Sequence, residues 1–302
     1  MFGPGRRVPF LALIVFGAGW GLTQPLSKIV VTAGFAPLGI IFWQLIIGTG
    51  LLVVISLVRR TWPPLHADAL KLYVFIALLG NVLPDIASYN AYEVLPAGVM
   101  SIIMSAVPLL AFPVALTLKI ERFSWQRLAG LALGMVGVAM IALPQAKLPV
   151  GVSLGWVLIA MIAPLCYAFE GNGVDLLSRK KTQAEPTALD ALLGASVIGA
   201  AIALPMALIS GQMFSLVGPW GVPHYTILAI AVIHTLVYSG YVWLVRQSGA
   251  VFAAQVSYLV TGFGVAWAML ILGERYSLLV WAAMGLMFAG LMLVLPRAQK
   301  ES

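Results

Sequence analysis

Leu118-Lys119-Ile120-Glu121-Arg122-Phe123-Ser124 and Ile271-Leu272-Gly273-Glu274-Arg275-Tyr276-Ser277 carry the same pattern twice, each time joining one long apolar run to the next. The offset that superposes the two glutamates also aligns Ala97 with Ala250 and Gly137 with Gly290. Fainter echoes set Trp20 against Tyr167 and Pro37 against Pro186, so the repeating unit is about half the chain. The two units are taken as 1–146 and 147–302.

Working outward from the repeat, apolar runs long enough to cross a bilayer core of roughly 30 Å fall at about 9–31, 36–58, 69–92, 96–118, 125–143, 153–177, 187–209, 223–245, 250–271 and 277–296. The first is too long for the apolar region of a signal peptide and is read as a retained helix. Each unit therefore holds five spans. Because five is odd, the second unit enters the membrane with the opposite orientation to the first. The expected fold class is an all-α integral membrane protein of ten transmembrane helices arranged as two inverted five-helix repeats, a design found in secondary transporters.

Composition agrees with this reading. Of the 302 residues 62% are hydrophobic and only 9% charged, with a mean hydropathy of +1.03, too little polar surface for a water-soluble fold of this size. The net charge of +7 does not point to nucleic acid, because the basic residues sit at the ends of apolar runs and not along a basic face interleaved with aromatic residues. Placing the N-terminus in the cytoplasm puts Arg59, Arg60, Lys71, Lys119, Arg122, Arg179, Lys180, Lys181, Arg246 and both basic termini on one side, leaving Lys147 and Arg275 opposite and Lys28 within a span. That alternation follows the positive-inside rule for ten spans. It predicts a multi-pass protein with both termini cytoplasmic. The single cysteine, Cys166, excludes an intrachain disulfide and a thiolate metal cluster.

The paired Leu/Ile-rich helix ends, each followed by a loop glutamate (Glu121, Glu274) and a Gly-rich last helix, resemble the drug/metabolite transporter superfamily, and within it the ten-helix EamA-like exporters. The first unit departs from the pattern where Lys119-Ile120 replaces Leu-Gly. The resemblance implies export of amino acids, other metabolites or toxic compounds through a central cavity lined by spans 1, 3, 4, 6, 8 and 9.

Polar groups within hydrocarbon are costly and normally face a bundle interior, which makes each a candidate. Asp85, with Tyr89 four residues on and on the same helix face, is placed toward the outer side. It either lines a vestibule or satisfies backbone freed by Pro84. Glu170, one turn after Tyr167 and beside Gly171-Asn172-Gly173, is the leading ionisable candidate for a solute ammonium or a proton; the competing reading pairs it with a cytoplasmic Lys or Arg. His234, with Tyr238 one turn on, is either a proton-coupling group or a packing residue. Trp20, Trp43 and Tyr258 are expected to add aromatic wall suited to side chains or cations. Gln24 and Ser101, with Gln44, Ser105, Gln255 and Ser257, are expected to add neutral hydrogen bonds. Asp190 and Asp175 are assigned to the water boundary, opposite Arg179 to Lys181. Pro25, Pro108, Pro113 and Pro164, with Gly262 and Gly264, are the expected hinges, whereas Gly130, Gly134, Gly137 and Gly290 read as packing or dimerisation seams.

No phosphate-cradling Gly-rich loop, His-Glu-x-x-His pair or Gly-x-Ser-x-Gly elbow is present. A membrane hydrolase would need Asp85, Glu170 and His234 to converge, and the spans place them at different depths. The expectation is a secondary transporter, not an enzyme, without metal or cofactor. It exports small organic metabolites, amino acids first, by alternating access. A facilitative uniporter or channel, or an exporter of amphipathic cations, is the alternative. The expected partners are the small-molecule substrate and the lipid bilayer, with no nucleic acid, and the expected state is a monomer or weak homodimer.

Overall fold

The computed structural model describes residues 4–119, 123–141, 153–178, 186–248 and 256–294. All its regular elements are helices: α1 (Pro4–Thr32), α2 (Pro37–Arg59), α3 (Ala67–Val94), α4 (Ala97–Thr117), α5 (Trp125–Ile141), α6 (Leu154–Ser178), α7 (Ala188–Ile209), α8 (Val222–Ser248), α9 (Val256–Leu272) and α10 (Leu278–Val294). These are the ten expected spans within a few residues. Seven are apolar over span length, and α5, α9 and α10 are shorter apolar helices. Glu121, Lys147, Arg179, Lys180, Lys181, Ala250 and Gln255 lie outside the described residues, as do the side chains of Asp175 and Arg246.

Helix ends follow local chemistry. α2 begins with Pro37 in its first turn, where a missing N–H costs nothing, and stops at Arg60 in the left-handed region (φ 54°), whose amide turns back to Leu57 O. α7 opens on a capping box: Asp190 N–H donates to Thr187 Oγ1 (3.3 Å) and Thr187 N–H donates to Asp190 Oδ2 (2.8 Å). Asp190 is buried and closes this cap; Arg179, Lys180 and Lys181, the residues expected opposite it, lie outside the described residues. Within α3 the residues Ala77–Val82 form a π turn immediately ahead of Pro84. The proline ring excludes the carbonyl four residues back and brings no N–H, and the widened turn accommodates it, with Leu83 N–H donating to Leu78 O.

The helices pair across the halves. α1 packs on α8 and α9, while α6 packs on α3 and α4; α2 faces α7, and α5 faces α10. Exchanging the halves maps α1–α8 onto α6–α3 and α1–α9 onto α6–α4, and returns α2–α7 and α5–α10 to themselves, as a pseudo-two-fold arrangement requires. The α5–α10 seam is where the small residues count. A Cβ on Gly290 would strike the Gly130 carbonyl, and one on Gly137 would lie 2.8 Å from Ala283 O. The glycines are therefore consumed by an intramolecular contact, the packing alternative of the two readings of Gly130, Gly134, Gly137 and Gly290. One large buried cluster, including Val30, Ile41, Leu95, Met100, Ile227 and Met287, joins both halves. The outward faces remain apolar: on α6 Leu158, Ile162, Leu165 and Phe169 form an exposed stripe at helical spacing, the surface that lipid tails cover.

Candidate functional site

A cavity of about 430 Å³ lies at the centre of the bundle. α1 contributes Trp20, Thr23, Gln24 and Ser27; α3 contributes Asn81, Asp85, Ser88, Tyr89 and Tyr92; α6 contributes Tyr167 and Glu170; α8 contributes His234, Thr235, Tyr238 and Tyr241. α4 adds Met104, Val107 and Pro108, and α9 adds Ser257, Val260 and Thr261. These are the six spans expected. α2 (Gln44, Leu45, Gly48) and α7 (Leu192, Ser196) complete the wall.

Asp85, Glu170 and His234 line this one cavity. The π turn and Pro84 lie just ahead of Asp85, and the next helix over supplies Glu170, whose Oε1 would be 2.5 Å from a Cβ on Gly80. Only a glycine lets the carboxylate lie against α3 there. Among the described residues no Lys or Arg lines the cavity; Arg179, Lys180 and Lys181, the cytoplasmic cations nearest Glu170 in the sequence, lie outside them.

Aromatic groups fill one side. Trp20 from α1 meets Tyr241 at 5.3 Å between centroids, Tyr238 at 6.3 Å and His234 at 6.4 Å on α8, and His234 stacks on Tyr238 at 6.3 Å and 22°. On α3, Tyr89 and Tyr92 stand 6.2 Å apart, and the Tyr92 hydroxyl donates to Gln24 Oε1 on α1. Edges and tilted faces at such separations are favourable pair geometries and leave π surface toward the cavity.

Trp43, Ser101 and Tyr258 stand off this wall. Trp43 donates its indole N–H to Phe214 O (2.9 Å) and pins the α7–α8 loop to α2. The Tyr258 hydroxyl lies against Met292 Sδ, and fully buried Ser101 donates back to Ala97 O (3.1 Å). Each has a polar tip and an apolar body, which suits a helix junction as well as a cavity, and the sequence alone does not separate the two. The hinge candidates also divide. α4 breaks at Ser105, three residues before Pro108, but α1 runs on through Pro25, α6 through Pro164, and α9 through Gly262 and Gly264. Gly264 serves a close approach instead: a Cβ there would strike Ser101 Oγ. Pro113 lies within the second segment of α4, Ala106–Thr117.

Away from the cavity the repeated glutamate has a structural task. Gly273, at φ 65°, ends α9 and turns the chain so that Glu274 Oε1 accepts from Ala97 N (2.8 Å) and Oε2 from Gly98 N (3.1 Å), the first amides of α4. Tyr276 donates its hydroxyl to the same carboxylate and occupies the space a Gly98 side chain would need. Burial first, and the Glu274 carboxylate second, push the Tyr276 phenol well above its ordinary range. From α1, Lys28 Nζ caps the carbonyls of Tyr92 and Glu93 at the end of α3. A cation at a helix C-terminus and an anion at the next N-terminus both match the helix dipoles.

Missed by sequence reading were Thr23, Ser27, Tyr92, Ser196, Thr235 and Thr261. Tyr92 was recoverable from its spacing to Tyr89, whereas small hydroxyl residues in apolar spans give no signal that distinguishes wall from backbone-bonded packing.

The EamA-like transporter family matches the sequence twice, over residues 8–143 and 154–295, one match for each half. No curated protein matches it. A solved structure described only as the crystal structure of a protein superposes with a TM-score of 0.60 at 15% identity, covering 94% of this chain and 96% of the other, a likeness of fold alone. With a family match over both halves and an all-helical bundle of paired repeats around a central cavity, the chain belongs to the EamA-like transporter family of the drug/metabolite transporter superfamily, and it is a multi-pass membrane transporter.

Proposed function

We propose that the protein is a secondary carrier that exports small organic solutes bearing a protonated amine, working by alternating access of its two halves in a bacterial inner membrane with both termini cytoplasmic. It performs no chemistry on its cargo. The supporting observation is the charge of the wall: among the described residues it holds two carboxylates, Asp85 and Glu170, and no Lys or Arg. A carboxylate buried without a cation is costly, and an ammonium group relieves that cost, while Trp20, Tyr89, Tyr167 and Tyr238 offer π faces to the cation and its apolar body.

The same balance separates the two substrate classes. The carboxylate of a zwitterionic amino acid would share the cavity with like charges, at a cost of about 3 kcal/mol for a pair roughly 6 Å apart at an effective dielectric of about 20. Amphipathic amines without a free carboxylate are therefore favoured over the amino acids that the sequence suggested first.

Counterflow in proteoliposomes tests this. Labelled amines, zwitterionic amino acids and nucleosides are compared for the wild type, Asp85→Asn and Glu170→Gln. Saturable counterflow of amines, with half-saturation raised about tenfold or more in each variant, is the expected result; a charge-assisted contact of about 1.5–3 kcal/mol corresponds to that range. Conductance without counterflow would establish a channel. Preference for zwitterions in folded protein would overturn the amine assignment.

A further inference from the structure

The break in α4 leaves a carbonyl that the helix itself does not satisfy. At Ser105 the amide donates to Ile102 O (3.0 Å), one residue short of the α-helical partner, and the Ser105 hydroxyl donates to the same oxygen (2.7 Å). The cause lies just beyond. Pro108 has no N–H for the Met104 carbonyl and its ring excludes that group, so the turn before it tightens. Ser101 O, which Ser105 N–H would bond in a continuous helix, is deprived of that partner.

The replacement comes from the other half of the molecule. Thr261, on α9, directs its hydroxyl to Ser101 O (3.2 Å) and shares it with Ser257 O one turn back on its own helix (3.1 Å). The approach is possible because Gly264, one turn further along α9, leaves room for Ser101 Oγ. Both residues are fully buried, with Thr261 at 1% and Ser101 at 0% exposure, so water does not substitute for this bond. Thr261 and Ser257 on one side, and Met104, Val107 and Pro108 on the other, line the same cavity. The break is therefore bound across the halves at the wall of the candidate site.

We propose that Thr261 is a positioning residue of the transport cycle: its hydroxyl holds the Ser101 carbonyl freed at the α4 break and so fixes the angle at which Ala106–Thr117 hangs from the first segment of α4. Hinge angle and α9 position are then set together, and a cavity that changes shape on one side changes it on the other. The inference rests on the alternating-access reading, since a rigid pore has no use for an adjustable joint. A carbonyl bonded by a side chain in place of the helix ladder is suited to a joint, because one shared hydroxyl contact is readily exchanged.

Two substitutions separate the hydroxyl from the methyl. Thr261→Val keeps the volume and removes the donor; Thr261→Ser keeps the donor and removes a methyl group. In a Cys166→Ala background, spin labels at Arg59→Cys and Thr117→Cys report the position of the far end of α4, and counterflow reports the cycle. For Thr261→Val the label distance distribution should shift or broaden, and the maximal counterflow rate should fall roughly three- to tenfold, as one hydrogen bond allows, with half-saturation changed less than about twofold. Thr261→Ser should match the parent in both readouts. The proposal is overturned if Thr261→Val matches the parent, or if Thr261→Ser is the more damaged variant, since a methyl packing role would give that order. Absence of counterflow in the parent would sink the carrier reading, while the label distances would still decide the joint.

Discussion

Glu274→Gln removes one charge and leaves a side chain of the same length, with an amide that can still pair with the Tyr276 hydroxyl, so its cost can be worked from the two backbone amides it holds. The carboxylate accepts from Ala97 N at 2.8 Å and Gly98 N at 3.1 Å, at the positive end of α4. A glutamine has one acceptor oxygen, so one of the two amides meets an NH2 group instead. Losing a charge-assisted bond costs about 1.5–3 kcal/mol, and loss of the dipole interaction adds about 0.3–1 kcal/mol. The expected destabilisation is therefore about 2–4 kcal/mol, roughly two-fifths to four-fifths of a margin of about 5 kcal/mol if the fold sits near the low end of the usual range. Reversible unfolding in mixed micelles of detergent and dodecyl sulfate would measure it. Glu274→Asp, one methylene short of the amides, should fall between glutamine and wild type. If Glu274→Gln unfolds within about 0.5 kcal/mol of wild type, the carboxylate is not holding α4, and the explanation given for the repeated glutamate fails.

Three further outcomes follow from the same structure. Gly290→Ala drives a Cβ into the Gly130 carbonyl, a backbone atom that cannot turn aside; it should cost about 3 kcal/mol or more and reduce the yield of folded protein by size-exclusion profile, whereas Gly285→Ala on the same helix, with nothing within 4 Å of the added carbon, should be neutral. Thr187→Ala removes half of the α7 capping box and should cost about 1 kcal/mol in the same unfolding assay. Trp20→Leu, which takes away the ring that meets three aromatic side chains of α8, should weaken amine half-saturation about threefold to tenfold, measured by counterflow, since cation–π contacts contribute about 0.5–2 kcal/mol.

Most of the fold could be read from residues because a bilayer makes the reading simple. Every span must be long and apolar, every second connection is basic, and a five-span unit repeated with the same loop glutamate can only invert. The wall was legible where a residue is both polar and expensive in lipid: Asp85, Glu170, His234, Gln24 and Tyr238 all line the cavity. Legibility failed where one side chain suits two settings. Trp43 reaches a loop carbonyl and Tyr258 a methionine sulfur, and neither interaction is written in the spacing of its helix. The hinge candidates divide for a related reason. A proline or glycine marks a place where a helix can yield, but whether it does depends on what the neighbours supply, as the unbroken α1 and α6 show at Pro25 and Pro164. Nor does residue type announce that the rise along α3 is not uniform, its turn widening at Ala77–Val82 ahead of Pro84.

That non-uniformity sets the reading frame of α3. The π turn at Ala77–Val82 takes up one residue more than an α-helical turn would, so everything beyond it is displaced by one position relative to a straight helix. The face that begins with Ile76 and Gly80 therefore continues through Asp85, Ser88 and Tyr92; without the extra residue it would continue through Pro84, Ala87 and Ala91. A chain shortened by a single residue between 77 and 82 would keep its length, hydropathy and topology almost intact, yet it would turn one of its two cavity carboxylates and a tyrosine out of the wall. For this helix a deletion is a change of meaning, where most substitutions are only a change of spelling.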